Sequence, residues 1–139
     1  MNKVITIDGP SASGKGTLAI LLGHRLNWKI LDSGALYRAF AYFSISENDQ
    51  GLIEQNLRNI SFNIVDNSIQ VLFENEDISR HLRTEETAIQ ASKISSLSST
   101  REILLPIQRF FSETSNLIAD GRDMGSVVFP NANLKFFLD

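Results

Sequence analysis

The sequence contains no cysteine, which excludes disulfide bonds and thiolate metal sites. It also lacks an apolar run long enough to cross a membrane. Its net charge is only −3, so no overall field favours nucleic acid or anionic lipid as a partner. No signal-peptide pattern opens the chain, because the acidic Asp8 arrives too soon. We therefore expect a cytoplasmic protein that binds neither nucleic acid nor membrane.

The chain has 139 residues, the size of a single domain. Residues 4–7 form a short, β-branched apolar run, which is typical of a buried parallel strand. From Lys15 onward leucines recur at helical spacing, and residues 28–31 form a second short apolar run. A strand, a helix and a further strand in this order predict a βαβ unit with parallel strands.

A glycine-rich loop joins the first strand to the first helix. It consists of Gly9, Pro10, Ser11, Ala12, Ser13, Gly14, Lys15, Gly16 and Thr17. Two glycines five positions apart and then a lysine are typical of loops that cradle phosphates. Such a loop turns its backbone N–H groups inward, the following helix adds its positive end, and Lys15 adds a mobile cation. Thr17 offers a hydroxyl to Mg²⁺ or to a phosphate oxygen. The alternative is a flexible surface turn, which the flanking strand and helix disfavour.

A second helix is predicted directly after the second strand. Asp32 or Ser33 can cap it, and it extends to about Phe43. Arg38 lies in its first turns, where a cation opposes the helix dipole. A bound phosphate explains this arginine, and so does a pairing with a nearby carboxylate; both explanations stay open.

A third polar cluster follows the apolar residues 117–119. Asp120 ends this predicted strand, at the position of the acidic residue that helps to hold Mg²⁺ opposite a phosphate loop. Arg122 and Asp123 come next, where parallel strands end and open α/β sheets bind ligands. A polar turn with internal ion pairs is the alternative, but this position favours a binding role.

The middle of the chain changes period. Apolar and polar residues alternate on both sides of Asp66 and Asn67, which predicts an antiparallel hairpin, with residues 76–78 as a short third strand. Thr84 opens a helix. A later helix over residues 101–112 contains Pro106, where we expect a kink or a break.

Four stretches resemble bacterial cytidylate kinases, which phosphorylate CMP and dCMP. They are residues 5–17, 31–38, 118–130 and 134–139, in the order and spacing of that family. Gly16 stands where generic phosphate loops have Ser or Thr, and this variant is typical of nucleoside monophosphate kinases. The resemblance covers the whole chain. It implies an α/β, P-loop NTPase-type three-layer fold with a parallel central sheet, as one kinase domain over residues 1–139. It also implies an inserted monophosphate-binding subdomain with the antiparallel hairpin, at residues 61–99.

The resemblance further implies substrates, a metal and site residues. The substrates are ATP, taken with Mg²⁺, and CMP or dCMP, and the acting unit is a monomer. The ATP phosphates lie in the loop over residues 9–17, with Thr17 and Asp120 as the candidate magnesium ligands. Lys15, Arg122 and Asp120 are the candidate catalytic residues. Ser33, Arg38, Ser92, Arg101, Arg122 and Asp123 are the candidate CMP-binding residues.

Base chemistry supports the assignment of Asp123. A carboxylate accepts a hydrogen bond from the amino group of cytosine and repels the oxygen that uracil has there. The function expected is therefore ATP-dependent phosphorylation of CMP and dCMP. Family members are longer, and a lid and the last strand are missing here, so the alternative is a catalytically impaired nucleotide-binding fragment. A GTPase is disfavoured because no Asn-Lys-x-Asp motif occurs.

Overall fold

The computed structural model describes all 139 residues. Its strands and helices alternate at both ends of the chain, with a β-hairpin between them. In chain order they are β1 (Val4–Asp8), α1 (Lys15–Leu26), β2 (Lys29–Asp32), α2 (Ser33–Ser46), α3 (Gln50–Arg58), β3 (Ile60–Val65), β4 (Ser68–Phe73), β5 (Glu76–Asp77), α4 (Glu85–Ser95), α5 (Ser98–Phe110), β6 (Leu117–Gly121) and β7 (Leu134–Phe137). A 3-10 turn (His81–Arg83) and a π-helical turn (Met124–Val128) complete the list.

The central sheet is parallel and has the strand order β2-β6-β1-β7. Alternate side chains of β1 enter two different cores: Val4 joins the larger cluster, whereas Ile5 and Ile7 join a smaller one beneath α1. A sheet between two apolar layers is the architecture of an α/β domain. The prediction of an α/β fold with a parallel central sheet is confirmed.

The predicted hairpin is present, and β5 extends it to a three-stranded antiparallel sheet. Asp66, at its turn, has a φ of 55°, the left-handed conformation that Asp tolerates. Phe62 of β3 belongs to the larger core cluster together with Leu36 of α2 and Leu104 of α5. The hairpin therefore packs into the same core as the helices above the parallel sheet.

The sequence predicts a kink or a break at Pro106; the break is wrong, because α5 continues through Pro106 as one helix. Proline removes one N–H donor, whose partner would be the carbonyl of Glu102. Glu102 and Pro106 are both exposed, while Leu104 and Ile107 are buried. Packing of the apolar face thus holds the helix together, and water can reach the carbonyl that lacks a partner.

None of the helices combines the length and apolarity that a membrane crossing requires.

Candidate functional site

The glycine-rich loop connects β1 to the N-terminus of α1. Gly9 has no room for a side chain, since a Cβ there would lie 2.6 Å from the carbonyl oxygen of Leu138. Gly14 and Ala12 have φ values of 90° and 62°, and the second is a strained conformation for a residue with a side chain. No side chain caps α1, so its first N–H groups stay available to an anion.

A cavity of about 820 Å³ opens at the carboxyl ends of the parallel strands. This is where α/β sheets place their ligands, and the volume suits a nucleotide-sized molecule. The loop, α2, α5 and the segment after β6 all contribute to its wall. The candidate residues that line it are Ser11, Lys15, Gly16, Ser33, Arg38, Arg101, Asp120, Arg122 and Asp123.

Several candidate residues do not line this cavity. Thr17 and Ser92 are exposed and lie outside its lining. Ser95, one helical turn after Ser92 on α4, lines it instead. Among the loop residues, Gly9, Pro10, Ala12, Ser13 and Gly14 also lie outside the lining. The structure therefore brings together the charged candidates but not every candidate with a hydroxyl.

Three carboxylates lie near the carboxyl ends of β1, β2 and β6. Asp120, the last residue but one of β6, is next to Asp32 of β2 and close to Asp8 of β1, and Lys15 lies near it. The pKa of Asp120 is raised to about 6, chiefly by burial and also by Asp32 and Asp8, while Lys15 acts in the opposite direction. Asp120 is only 6% exposed, so its charge is costly when nothing binds there.

Asp32 carries out the capping that its position predicts. Its carboxylate accepts a 3.1 Å hydrogen bond from the backbone N–H of Ala35, in the first turn of α2. The helix therefore starts at the edge of the cavity, and its second turn carries Arg38 into the wall. A Cβ built on Gly34 would lie 3.6 Å from a guanidinium nitrogen of Arg38, so this side chain folds back over the helix start.

One side of the cavity, called its far wall below, is formed by Tyr37, Arg101 and Asp123. Burial raises the pKa of Tyr37, with Arg101 lowering it and Asp123 raising it. The arginine of α5 and the carboxylate after β6 thus lie near the same half-buried phenol. Asp123 has a φ of 58°, a left-handed conformation two residues after the end of β6 and directly before the π-helical turn.

Gln108 is a cavity residue that sequence reasoning missed. It is 3% exposed, and its side-chain oxygen accepts a 2.8 Å hydrogen bond from the hydroxyl of Ser33. The available signal was its place four residues after Leu104, on the apolar face of α5. A polar side chain on such a face needs a partner within the protein. The hydroxyl of Ser33 is therefore already engaged across the cavity floor.

No three acidic, histidine or cysteine side chains converge as a metal-binding cluster. Asp120 is the carboxylate at the cavity that fits a role as a magnesium ligand, because Mg²⁺ takes one or two carboxylates together with phosphate oxygens. Thr17, the other candidate, is exposed and lies outside the cavity lining; its role as a magnesium ligand stays a prediction.

Comparison with known proteins extends these observations along the chain. The family model described as Cytidylate kinase matches residues 5–139. Cytidylate kinase of Photobacterium profundum is 48% identical over 142 residues, which cover 98% of this chain and 62% of that protein. Those of Aeromonas salmonicida and Pseudomonas putida are 47% and 48% identical, over 100% and 97% of this chain and 63% of each relative. This chain thus spans less than two thirds of these curated relatives. A family match over nearly all of the chain, on a fold with a phosphate loop, shows that it belongs to the cytidylate kinase family.

Proposed function

We propose that this chain holds the donor and acceptor sites of an enzyme that transfers a phosphoryl group from ATP to CMP and dCMP. One observation carries the proposal. Lys15 of the phosphate loop lines the same cavity as three arginines from three other segments, Arg38, Arg101 and Arg122. Two phosphate-bearing molecules that must react with each other need cations of this kind on both sides.

The acceptor phosphate is assigned to Arg38 and Arg122. A guanidinium group holds a phosphate with two parallel hydrogen bonds, which fix its orientation as well as its charge. Arg38 reaches the cavity from α2 and Arg122 from the end of β6. A phosphate between them lies at the carboxyl end of the sheet, towards the phosphate loop.

The base is assigned to the far wall, where Asp123 and Arg101 lie near Tyr37. Asp123 accepts from the amino group of cytosine, and Arg101 donates to its ring nitrogen and carbonyl oxygen. The exposed hydroxyls of α4 are proposed as further base contacts. Ser92 is the candidate from the sequence, and Ser95 is the one that lines the cavity. None of these groups depends on a ribose 2′-hydroxyl, so dCMP is proposed as a second acceptor.

The transfer itself requires alignment and charge compensation. An oxygen of the CMP phosphate forms a bond to the terminal phosphorus of ATP, the bond to the bridging oxygen breaks, and ADP leaves with that electron pair. Lys15 and Arg122 face the charge that develops on the transferred group. Asp120 is the proposed ligand of Mg²⁺, which neutralises phosphate charge when bound. All of these groups belong to one chain, so the monomer is the proposed acting unit.

An assay of ADP release with equal concentrations of CMP, dCMP, UMP and AMP tests the reaction. We expect turnover with CMP and dCMP and little with UMP or AMP; a preference for UMP or AMP would contradict the assignment of Asp123. Calorimetry with CMP separates binding from transfer. Binding of CMP without ADP release would support the second candidate, a chain that binds the nucleotide without catalysis.

A further inference from the structure

The carboxylate of Asp8 makes two hydrogen bonds that no role assigned so far uses. One oxygen accepts from the backbone N–H of Met124 at 2.7 Å, and the other accepts from that of Gly125 at 2.9 Å. The partners are 116 and 117 positions away in the sequence. Hydrogen bonds from a backbone amide to a charged carboxylate are among the strong ones in proteins.

These two N–H groups are the first of the π-helical turn Met124–Val128. The first N–H groups of any helical turn lack partners inside it. Asp123, which precedes the turn, does not cap it with its side chain. Asp8 of β1 therefore caps the turn in place of Asp123. The carboxylate of Asp123 stays free to face the cavity.

A second contact between β1 and the turn lies next to the first. A Cβ on Gly125 would lie 2.8 Å from the hydroxyl oxygen of Thr6 and 3.1 Å from Cδ of Lys135. Thr6 and Asp8 are two positions apart in one strand, so they occupy the same face of the sheet. The turn thus rests on Thr6 and is held by Asp8.

The contacts of Asp8 with Met124 and Gly125, called the clamp below, join two segments that form the cavity. Asp8 is followed at once by Gly9, the first residue of the phosphate loop, and the turn follows directly on Arg122 and Asp123. One short strand end thereby holds two segments that come from opposite ends of the sequence. From this geometry we infer that Asp8 is a positioning residue: it sets the place of Arg122 and Asp123 relative to the phosphate loop. The consequence for CMP rests on the function proposed above.

The charge of Asp8 and its positioning role predict opposite effects on the binding of CMP, so a neutral substitution separates them. Replacing it by a neutral residue removes a negative charge beside a site for phosphates, which by electrostatics alone strengthens the binding of every anion. Loss of positioning has the opposite effect on CMP. In Asp8→Asn the amide group also turns an N–H towards a backbone N–H, so at least one of the two hydrogen bonds is lost.

The experiment compares wild type with Asp8→Asn by calorimetry and by amide hydrogen exchange. We expect CMP to bind about tenfold to 100-fold more weakly, with a smaller preference over UMP, while ATP binds as well as before or better. Asp49→Asn is the control, because Asp49 caps α3 through the N–H of Leu52 at an exposed position. It should leave both nucleotides unaffected.

Hydrogen exchange tests the clamp without any nucleotide. The amides of Met124 and Gly125 should be protected in wild type and exchange about tenfold faster or more in Asp8→Asn. Unprotected amides in wild type overturn the inference even if the variant fails to fold, and so does equal protection in both proteins. If wild type binds no CMP, the proposed function fails while the exchange result still decides on the clamp. Equal loss of CMP and ATP binding would indicate a general structural role and would also overturn the inference.

Discussion

Asp120 of β6 is the register partner of Asp32 on the neighbouring strand β2, so two carboxylates of adjacent parallel strands lie side by side in the wall of the cavity. Asp32 has a hydrogen-bond donor, the backbone N–H of Ala35. Asp120 is buried beside it, and burial, Asp32 and Asp8 together raise its pKa to about 6, although Lys15 acts in the opposite direction. The protein thus keeps a costly carboxylate in the wall of the cavity, and under the function proposed above this carboxylate is a ligand of Mg²⁺.

Replacing Asp120 by Asn should stabilise the protein at neutral pH. An Asp pKa raised from its ordinary value of 3.8 to about 6 means that the folded state penalises the charged form. The penalty is fully present well above pH 6 and decreases as the pH falls from 6 to 3.8; it disappears below pH 3.8, where the folded and the unfolded state are both protonated. A shift of this size corresponds to about 3 kcal/mol at most. Urea unfolding at pH 8 should show the full gain in Asp120→Asn, and unfolding near pH 4 should show only a small part of it.

Asp77 offers a control of opposite sign. Its pKa is lowered, chiefly by the hydrogen bonds from Ser79 and Gln70, so its charge is favoured in the folded state. Asp77→Asn should therefore be less stable than wild type at neutral pH, and this difference should shrink as the pH falls below 3.8 through the lowered pKa of the folded state. If the gain in stability of Asp120→Asn is equal at pH 8 and pH 4, it does not come from removing the charge of the carboxylate, and this prediction is wrong. Activity should fall in Asp120→Asn despite the gain in stability.

Local patterns account for the parts of this structure that were predictable. The phosphate loop, the hairpin at Asp66 and the cap at Asp32 each depend on residues within a few positions of one another. The ends of the parallel strands also follow from the sequence, because any polar cluster after such a strand reaches the same sheet edge. For that reason the charged side chains predicted for the site line one cavity.

Contacts between distant segments account for the rest. The bond of Asp8 to Met124 joins positions 116 apart, and nothing near either residue signals it. The Ser33 hydroxyl donates to Gln108, 75 positions away, because α5 brings this side chain within hydrogen-bond distance of the start of α2. Pro106 is tolerated because the buried face of α5 outweighs one lost hydrogen bond. Strand order and helix packing decide each of these, and neither has a local signature.

Asp123→Asn should weaken the binding of CMP by a factor of about ten to 100, because the hydrogen bond from the cytosine amino group then has a neutral instead of a charged acceptor. Its preference for CMP over UMP should fall as well, because the amide no longer repels the uracil oxygen. Asn tolerates the φ of 58° at this position, so the backbone should not change. Calorimetry with both nucleotides measures the two effects.

The hairpin supplies a matched control for this substitution. Asp66 has a φ of 55° and is exposed at the turn between β3 and β4. Asp66→Asn makes the same chemical change in the same backbone conformation, and it should leave both affinities unaltered. Unchanged discrimination in Asp123→Asn would remove this residue from base recognition.

Ser33→Ala should lower the free energy of unfolding by about 1–3 kcal/mol, because it leaves the buried oxygen of Gln108 without a donor. Ser33 is 4% exposed and donates to that oxygen at 2.8 Å. Ser44→Ala is the control: the Ser44 hydroxyl also donates at 2.8 Å, but to the backbone oxygen of Ala41 in its own helix, and its removal should cost less. A double variant with Gln108→Leu should recover part of the loss. Denaturant unfolding measures all four proteins, and full stability of Ser33→Ala would contradict the bond.

Gly121→Ala should destabilise the protein by about 1–3 kcal/mol, the usual cost of overfilling a packed site. A Cβ at Gly121 would lie 2.6 Å from Cβ of Ser33 and 3.2 Å from Cε of Met124. The Cβ of Ser33 is fixed to the backbone, so the start of α2 must move away from β6. Since α2 carries Arg38, affinity for CMP should fall together with stability.

Gly51→Ala shows whether the effect is specific to that contact. Gly51 lies in the first turn of α3, and a Cβ there would lie 3.4 Å from a carboxylate oxygen of Asp49. Alanine favours the helix over glycine by up to about 1 kcal/mol, so this variant should be as stable as wild type or slightly more stable. The two variants add the same methyl group, and only the one between β6 and α2 should lower the unfolding midpoint in urea. If Gly121→Ala unfolds at the wild-type midpoint, the close approach of β6 to the start of α2 is wrong.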